Sequence, residues 1–368
     1  MKKIRLSTVF SGIGSIEWAM KTLDISHEIV FACDNGDLNI DGLNIEQELS
    51  YIKNLSTIDE MKEYEDRLFF NIKKTNFVKK SYLSNYDLDE KRFFQDVRLL
   101  DGEKFKDKVD LFVGGSPCQS FSIMGYQRGL DDARGTLFYE YARLVKEIQP
   151  KVFIYENVQG LLNHDKKNTW EVISGIFNSL EYNYIPLVLN SKDFGIPQNR
   201  NRVFVVGFKN QKYYERFTPP KTKTLKFTLQ DFLIESCDEG YFDYNNYKKK
   251  AGIVNEKYFL SEKVLKHVMS VGTKNYITKP AIDLKIARPL LATMHKMHRA
   301  GVDNYVTVDG RIRRLTPREC LRLMGYGDKF KQNVSDTQMY KQAGNSIVVQ
   351  IFESLVTEII KTGVFDET

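Results

Sequence analysis

The first 210 residues alternate short apolar runs with stretches of helical periodicity. The apolar runs are rich in Val, Ile and Phe and are bounded by charged residues or glycine, which is typical of buried strands. Between them, residues 137–148 and 169–180 repeat apolar positions at helical spacing. This alternation predicts an α/β fold with a doubly wound, mostly parallel sheet. The predicted strands are 4–10, 28–33, 109–113, 151–155 and 203–208.

Two regions depart from this alternation. Residues 37–92 are polar, rich in tyrosine and lysine and partly helical by pattern, and we interpret them as an insertion whose role the sequence does not reveal. After Pro219 and Pro220 the chain becomes irregular, aromatic and basic, and an amphipathic helix follows at 345–361. The pattern therefore predicts two domains: a main domain of 1–209 plus 334–368, and a smaller domain of 210–333.

Length and composition narrow the class of protein. The 368 residues, 42% of them hydrophobic, are enough to form a large core. No apolar run approaches the roughly 20 residues that span a bilayer, and the N-terminus lacks the pattern of a secretory signal. We therefore expect a soluble, cytoplasmic protein with no membrane partner. The four cysteines lie far apart, which argues against a zinc site or a disulfide framework, and we expect no metal.

The basic charge is concentrated in one part of the chain. Within residues 211–320, Lys and Arg outnumber Asp and Glu by 21 to 12. The net charge of the whole protein is only +6, so the remainder is slightly acidic. A basic segment on a slightly acidic body indicates either a polyanionic partner or a solvated, lysine-rich surface. Charge alone does not separate these two interpretations.

The first predicted strand runs into a glycine turn, FSGIG at 10–14, followed by a helical pattern. Asp34 ends the second strand, where an acidic residue can accept hydrogen bonds from ribose hydroxyls. Glu17 stands where a dinucleotide fingerprint has its third glycine, which favours a nucleoside without a pyrophosphate over NAD. Asp96, followed by Val97, is either a contact for an adenine amino group or an ordinary loop aspartate.

The strand at 109–113 leads into the segment GGSPCQSFS at 114–122. Two glycines and a proline form a sharp turn at the carboxyl end of a strand, which is where open α/β sheets bind ligands. A cysteine held there can have a lowered thiol pKa and act as a nucleophilic thiolate. Cys118 is therefore the candidate nucleophile, and the alternative is a cysteine packed beneath a loop.

At this point the chain resembles a known family. It is similar to the bacterial DNA (cytosine-5) methyltransferases of type II restriction-modification systems, and the resemblance covers almost all of 1–210 and 311–350. Seven segments match the family's blocks in the family's order: FSGIG (10–14), GGSPCQSFS (114–122), DDARGTLFYE (131–140), ENV (156–158), QNRNR (198–202), RRLTPREC (313–320) and QAGNSIVV (342–349).

The resemblance implies a covalent mechanism. Cytosine carbon 5 is a poor nucleophile, and addition of the Cys118 thiolate to carbon 6 makes an enamine that can attack a sulfonium methyl group. Glu156, protonated as burial would favour, would hold N3 and the exocyclic amine. Arg202 would hold the base carbonyl, with Arg200 organising the site or meeting backbone. A structural ion pair of Glu156 with Arg202 is the alternative, and no base for removal of the C5 proton is evident.

The methyl donor implied by the family is S-adenosylmethionine, with S-adenosylhomocysteine as product. Two positions depart from the family: Ser15 replaces a frequent glycine, and an aspartate replaces the commoner glutamate at the ribose contact. The implied cofactor contacts are Phe10, Gly12, Gly14, Asp34, Asp96, Val97, Pro117, Leu137 and Asn345.

The implied partner is double-stranded DNA, because the target carbon is reached only when the base is flipped out of the duplex. Gln119, Ser122 and Met124 would contact DNA from the loop after the nucleophile, with Met124 as a wedge in the vacated stack. The domain 210–333 would be a target-recognition domain that binds the duplex. Segment 292–301 is its best candidate for reading base edges, and the alternative for this segment is a core strand with polar surface residues. The predicted recognition residues are Thr293, His295, Lys296, His298 and Arg299.

Two other functions fit these residues. A tRNA cytosine-5 methyltransferase would share the fold and the blocks, and a nucleic-acid-binding homologue could have lost catalysis. The family further implies a monomer and a companion restriction endonuclease acting on the same site. The recognition sequence and the methylated cytosine within it are not encoded in any pattern we can interpret.

Overall fold

In the computed structural model, the chain forms two compact units. The structure describes residues 3–40, 42–117, 137–235, 252–273 and 276–366. Unit 1 comprises 1–189, 201–220 and 355–368, and unit 2 comprises 190–200 and 221–354.

Among the described residues of the chain, seven strands form one sheet in the order β3-β2-β1-β4-β5-β7-β6. The first five in this order run parallel, and β7 is antiparallel to β5. This arrangement confirms the predicted α/β class with a mostly parallel sheet. The strands are β1 (Ile4–Val9), β2 (His27–Cys33), β3 (Phe93–Phe94), β4 (Leu111–Gly114), β5 (Val152–Val158), β6 (Asn183–Asn190) and β7 (Asn201–Phe208).

The helices before residue 220 include three that the insertion 37–92 supplies, α2 to α4. Each of these three follows a residue whose side chain accepts a first-turn N–H: Asn44, Thr57 and Asn76. Such caps satisfy backbone donors that the helix itself leaves unpaired. The helices are α1 (Ser15–Thr22), α2 (Ile45–Lys53), α3 (Ile58–Phe69), α4 (Phe77–Asn85), α5 (Leu137–Ile148), α6 (Asn168–Ser179) and α7 (Gln211–Tyr214).

The remaining elements are short, apart from two helices near the end of the chain. After residue 220, the described strands form two antiparallel pairs, β8 with β9 and β10 with β11. The helix predicted at 345–361 begins only at Val349, because Asn345 ends the preceding helix. These elements are α8 (Glu262–Val268), β8 (Gly272–Thr273), β9 (Tyr276–Ile277), β10 (Tyr305–Val308), β11 (Arg311–Arg314), α9 (Pro317–Leu323), α10 (Asp336–Asn345) and α11 (Val349–Lys361).

Unit 2 begins and ends at other residues than the predicted second domain, 210–333. Residues 190–200 and 334–354 belong to it, and 210–220 do not. One reason is Arg200, whose buried guanidinium hydrogen-bonds to backbone beyond residue 340. A change in periodicity marks where the pattern of the chain alters, and it does not show which segments pack together.

A buried ion pair joins β11 to α9 in unit 2. Nη2 of Arg313 lies 2.6 Å from Oε1 of Glu319, and neither side chain is exposed to solvent. Oε2 of Glu319 also accepts the N–H of Thr316, whose own hydroxyl accepts the N–H of Glu319. This reciprocal cap begins the helix. The RRLTPREC segment therefore has a structural role in unit 2, in which one glutamate both caps a helix and neutralises a buried arginine.

One stretch among the described residues, Asp336–Lys361, is long and apolar enough by length and composition to cross a membrane. It contains α10 and α11, and 67% of its most apolar window is buried within the protein. Helices in the core of a globular protein have the same apolar character. The stretch is therefore weak evidence for a membrane span.

Candidate active site

Two glycines shape the turn that follows β1. Gly12 and Gly14 have φ angles of 55° and 76°, in the left-handed region that favours glycine. No described atom lies within 4 Å of the place where a Cβ on Gly12 would stand. A Cβ on Gly14 would lie 2.3 Å from Cε2 of Tyr86. The turn therefore has open space at Gly12 and close packing at Gly14, and the half-buried Phe10 at its start packs against the core.

Asp34 follows β2 and lies beside this turn. Its Oδ2 accepts the N–H of Gly12 at 2.9 Å, and its Oδ1 accepts the N–H of Gly36 at the same distance. The carboxyl ends of parallel strands meet at one edge of a sheet, which explains why residues 22 apart in the chain come together. The carboxylate is thus oriented next to the open space at Gly12, where a ribose-binding acid is predicted.

Asp96 follows β3 and carries an ion pair that the sequence did not indicate. Nη2 of Arg98 lies 2.6 Å from Oδ2 of Asp96, and Nε of Arg98 donates to Oδ1 at 2.9 Å. An adenine amino group at this carboxylate would therefore share it with Arg98. Val97, the other predicted contact here, is buried.

The loop before the predicted nucleophile is held by β5. The buried hydroxyl of Ser116 lies 2.7 Å from the hydroxyl of Tyr155. The amide of Asn157 donates to that tyrosine oxygen at 2.8 Å and to the carbonyl of Ser116 at 3.0 Å. Pro117 follows and is exposed. The chain is therefore fixed up to the residue before Cys118, which itself lies outside the described residues, as do Gln119, Ser122 and Met124.

Glu156 and Arg202 form an ion pair at the same end of the sheet. Nε of Arg202 lies 3.0 Å from Oε1 of Glu156, and both side chains are mostly buried. The antiparallel register pairs Glu156 with Phe204 and Val158 with Arg202, so the two charged residues are diagonal neighbours on one face. A Cβ on Gly115 would lie 2.8 Å from Oε2 of Glu156, so the start of the nucleophile loop, at Gly115, passes directly over this carboxylate.

Arg200 lies in unit 2 and donates hydrogen bonds to backbone carbonyl groups. It is 3% exposed, and its guanidinium donates to the carbonyl oxygens of Leu290, Gly344 and Ser346. The two roles that the sequence left open for Arg200 in the reaction stay predictions. An arginine that satisfies three carbonyls in this way fixes the loops that carry them.

The two remaining predicted cofactor contacts lie in different units. Leu137 is the first residue of α5 in unit 1 and is half-buried against the core. Asn345 is the last residue of α10 in unit 2, and its side chain is exposed. Their roles toward a cofactor stay predictions.

The predicted recognition segment forms an irregular loop in unit 2 and not the core strand that was the alternative. Thr293 and Lys296 are exposed, while His295, His298 and Arg299 are half-buried. The hydroxyl of Thr293 lies 2.9 Å from Nε2 of His298, and Nε of Arg299 donates to Ser270 at 2.8 Å.

Two buried or half-buried side chains from outside this segment hold its backbone. Arg314 donates to the carbonyl oxygens of Met294 and His295, and the hydroxyl of Tyr305 donates to the carbonyl of His298. The loop therefore has a fixed backbone beneath side chains that remain partly exposed.

Sequence reasoning missed the residues that support the site. Tyr155 and Asn157 flank the predicted Glu156, and Ser116 lies two residues before the predicted nucleophile. A tyrosine hydroxyl in an otherwise apolar buried strand must find a partner, and this was the available signal. Among the described residues, no group of three or more His, Cys, Asp or Glu is placed to hold a metal ion.

Comparison with known proteins agrees with this geometry. A model of the C-5 cytosine-specific DNA methylase family matches residues 4–361. The type II methyltransferase M.HhaI of Haemophilus parahaemolyticus is 35% identical over 68% of this chain and 75% of its own length. The type II methyltransferase M2.ScrFI of Lactococcus lactis subsp. cremoris is 31% identical over 98% of this chain and 99% of its own.

The fold has solved counterparts as well. The Dnmt2 methyltransferase of S. pombe superposes with a TM-score of 0.63 at 16% identity, covering 98% of this chain and 99% of that one. The predicted family, fold class and enzyme class are confirmed by these matches. This chain belongs to the C-5 cytosine-specific DNA methylase family, whose members are methyltransferase enzymes.

Proposed function

We propose that this protein methylates carbon 5 of a flipped cytosine in duplex DNA through a covalent bond between Cys118 and carbon 6. The observation that supports this proposal most directly is the ion pair of Glu156 and Arg202, 3.0 Å apart beneath the nucleophile loop. A proton donor and a cation beside a thiolate are the groups that addition to a cytosine ring requires.

The described residues can each be given a task in this reaction. Addition of the thiolate builds negative charge on the ring. Glu156 takes up a proton when Arg202 leaves it, delivers that proton to N3 and accepts a hydrogen bond from the exocyclic amine. After methyl transfer the C5 proton leaves and the bond between Cys118 and carbon 6 breaks, which restores the ring and the thiolate. Arg202 turns from Glu156 to the base carbonyl oxygen and balances the charge. Asn157 and Tyr155 hold Ser116, two residues before Cys118, by hydrogen bonds.

The cofactor we propose is S-adenosylmethionine, which supplies the methyl group when bound and leaves as S-adenosylhomocysteine. The residues fit this group, because the open space at Gly12 lies beside the oriented carboxylate of Asp34. Asp34 would bind the ribose hydroxyls, and Phe10 and Gly14 would border the rest of the nucleoside. Val97, Pro117, Leu137 and Asn345 complete the proposed contacts, with Asp96 shared between the adenine and Arg98.

Duplex DNA is the substrate that we favour over tRNA. Relatives over most of the chain include named type II methyltransferases, and the matching family model is that of a DNA methylase. The basic segment and the exposed recognition loop, 292–301, both lie mainly in unit 2. Lysine and arginine there would bind phosphates, and the side chains of 293–299 would read base edges. We further propose a cytoplasmic monomer that protects the site of a companion restriction endonuclease.

Bisulfite sequencing tests the reaction, the nucleophile and the target together. Plasmid DNA from a methylation-free host that expresses the wild-type protein should show protected cytosines in one short motif. The matched strain expressing Cys118→Ser should show none, with soluble protein at a similar level. A wild-type protein that protects no cytosine would exclude the DNA assignment, and purified tRNA would then be the substrate to test.

A 5-fluorocytosine duplex tests the covalent step separately. Fluorine at carbon 5 cannot leave as the proton does, so the adduct formed by Cys118 should persist through denaturation and migrate as a protein–DNA complex. The same duplex with Cys118→Ser provides the control. Methylation without any trapped complex would contradict the covalent route and leave the methyltransferase assignment intact.

A further inference from the structure

The insertion 37–92 hydrogen-bonds to three of the segments proposed to bind the cofactor: the glycine turn, the loop at Asp34 and the segment at Asp96. Its first contact is with the glycine turn. Tyr86 directly follows α4. Its hydroxyl donates to the carbonyl oxygen of Ile13 at 2.9 Å and also to that of Gly14. The tyrosine is 8% exposed, and its ring fills the space behind Gly14. The turn therefore rests on a side chain that the insertion supplies.

A second tyrosine of α4 extends this contact through Glu17. The hydroxyl of Tyr82 donates to Oε1 of Glu17 at 2.6 Å, and the hydroxyl of Thr8 donates to the same oxygen at 2.8 Å. Thr8 in turn lies 2.8 Å from the hydroxyl of Ser11 in the turn. Glu17 is 1% exposed, and burial raises the pKa of its carboxyl group. A continuous buried chain of hydrogen bonds thus joins α4 to the cofactor turn.

The cap of α4 contacts the second segment. Nδ2 of Asn76 donates to the carbonyl oxygen of Asp34 at 2.8 Å, while its Oδ1 accepts the N–H of Lys79 at 2.9 Å. A Cβ on Gly36 would lie 2.0 Å from that Oδ1. One asparagine therefore begins the helix and fixes the loop that carries the proposed ribose-binding carboxylate.

The third segment is held by α3. Oε1 of Glu65 accepts the backbone N–H of Gln95 at 2.7 Å and that of Asp96 at 3.0 Å. Its Oε2 lies 2.9 Å from Nζ of Lys62, and both side chains are only 2% exposed. A buried glutamate with an ammonium partner on one oxygen and two backbone donors on the other is fixed in place.

We propose that segment 37–92 is a brace that holds these three cofactor segments in binding geometry, with Tyr86, Asn76 and Glu65 as positioning residues that set the affinity for S-adenosylmethionine. The inference rests on the proposed function. Loops ordered before binding lose less conformational freedom when the ligand arrives, so a braced site binds more tightly than a loose one with the same contacts.

Titration calorimetry with S-adenosylhomocysteine on the full-length protein tests the brace. Tyr86→Phe keeps the ring and removes the hydroxyl, and we expect Kd to rise about tenfold for loss of a buried hydrogen bond. The matched control is Tyr64→Phe, which removes a 2.6 Å hydrogen bond to Glu48 elsewhere in the same insertion. That variant should bind like the wild type. With DNA, Tyr86→Phe should raise KM for S-adenosylmethionine and leave kcat within about twofold.

A second variant keeps the test valid if Tyr86→Phe folds poorly. Asn76→Ser retains a residue that caps helices well and loses the donor to Asp34, so Kd should rise while the melting temperature stays close to that of the wild type. Wild-type binding by both variants would overturn the brace and leave the proposed function standing. A wild-type protein that binds no S-adenosylhomocysteine and methylates no DNA would overturn both.

Discussion

A buried tyrosine hydroxyl holds a loop in each of the two units, and the two loops differ in what they leave exposed. In unit 1, Tyr86 binds the carbonyl of Ile13 in the cofactor turn. In unit 2, Tyr305 binds the carbonyl of His298 in the recognition loop. Ile13 is buried, whereas Thr293 and Lys296 of the recognition loop are exposed.

This difference matches the two tasks proposed for the loops, which are binding of one cofactor in unit 1 and reading of a base sequence in unit 2. The cofactor turn binds through its backbone shape, which glycines at positive φ and the strand ends determine. The recognition loop has no glycine between 292 and 300. A methionine, Met297, has the left-handed φ of 53° in this loop. Its exposed side chains, Thr293 and Lys296, stand on a backbone that Tyr305 and Arg314 hold, which suits the base-reading role proposed for them.

The largest effect is expected from a substitution that removes the proposed proton donor and leaves both loops intact. Glu156→Gln cannot deliver a proton to the base, so kcat should fall by about 10² to 10⁴-fold. Affinity for S-adenosylhomocysteine should be unchanged, because Glu156 is not among the proposed cofactor contacts. Single-turnover methylation of a cognate duplex measures the rate, and calorimetry measures binding. A rate within about threefold of the wild type would show that the Glu156–Arg202 pair is only structural.

The second prediction concerns the buried ion pair of Arg313 and Glu319 in unit 2. Glu319→Ala removes one of the two carboxylate partners of the buried Arg313, and we expect the free energy of unfolding to fall by up to about 3–5 kcal/mol, the cost of breaking a buried ion pair. Glu235, 2.6 Å from the same guanidinium but partly exposed, reduces this loss.

The control for this change concerns Arg311, which lies on the same strand as Arg313. Glu256→Ala removes the partner of Arg311, also 2.6 Å away but at an exposed position. Exposed ion pairs contribute little to stability, so urea denaturation should hardly distinguish this variant from the wild type. Equal losses for the two variants would contradict the role given to burial.

The sequence predicted the parts of the fold and site that depend on neighbouring residues. The buried strands expected at 109–113 and 151–155 are β4 and β5, because fully buried strands have continuous apolar runs. The edge strand β6 was missed, since its residues alternate between half-buried and exposed and include a proline. The glycine turn was found because its shape depends on two glycines, Gly12 and Gly14, that are separated by a single residue.

Supports that come from distant parts of the chain were not predictable. Tyr86 and Ile13 are 73 residues apart, and nothing in the polar pattern of 37–92 indicates which of its tyrosines is buried. Arg200 and Ser346 are 146 residues apart. Hydrogen bonds of this kind depend on how elements pack, which hydrophobic periodicity determines only in outline.

The third prediction concerns pH and the base of the recognition loop. Burial raises the pKa of Asp303 from 3.8 to about 6, although the N–H groups of Asn304 and His298 act in the opposite direction. The folded state therefore holds this proton more tightly than the unfolded state does. Stability from this group is fully present below about pH 4 and is lost as the pH rises to about 6, a change of about 3 kcal/mol.

Asp303→Asn removes the titration. The free energy of unfolding of the wild type should fall relative to that of the variant between pH 4 and pH 6, with a constant difference above pH 7. Urea denaturation across this pH range measures both curves. Parallel curves would show that Asp303 titrates alike in the folded and unfolded protein.

The smallest expected effect comes from replacing one glycine in each unit, at positions that have the same left-handed φ angle. Gly14 and Gly310 have φ angles of 76° and 75°, and no described atom surrounds Gly310, whereas Tyr86 packs against Gly14. Gly310→Ala should cost only the strain of a left-handed residue, about 1–2 kcal/mol. Gly14→Ala should cost the same strain and also displace Tyr86 from the turn, weakening binding of S-adenosylhomocysteine. Calorimetry that finds equal affinities for the two variants would mean that the turn tolerates movement of its support, and that the cofactor end is no more tightly constrained than the recognition end.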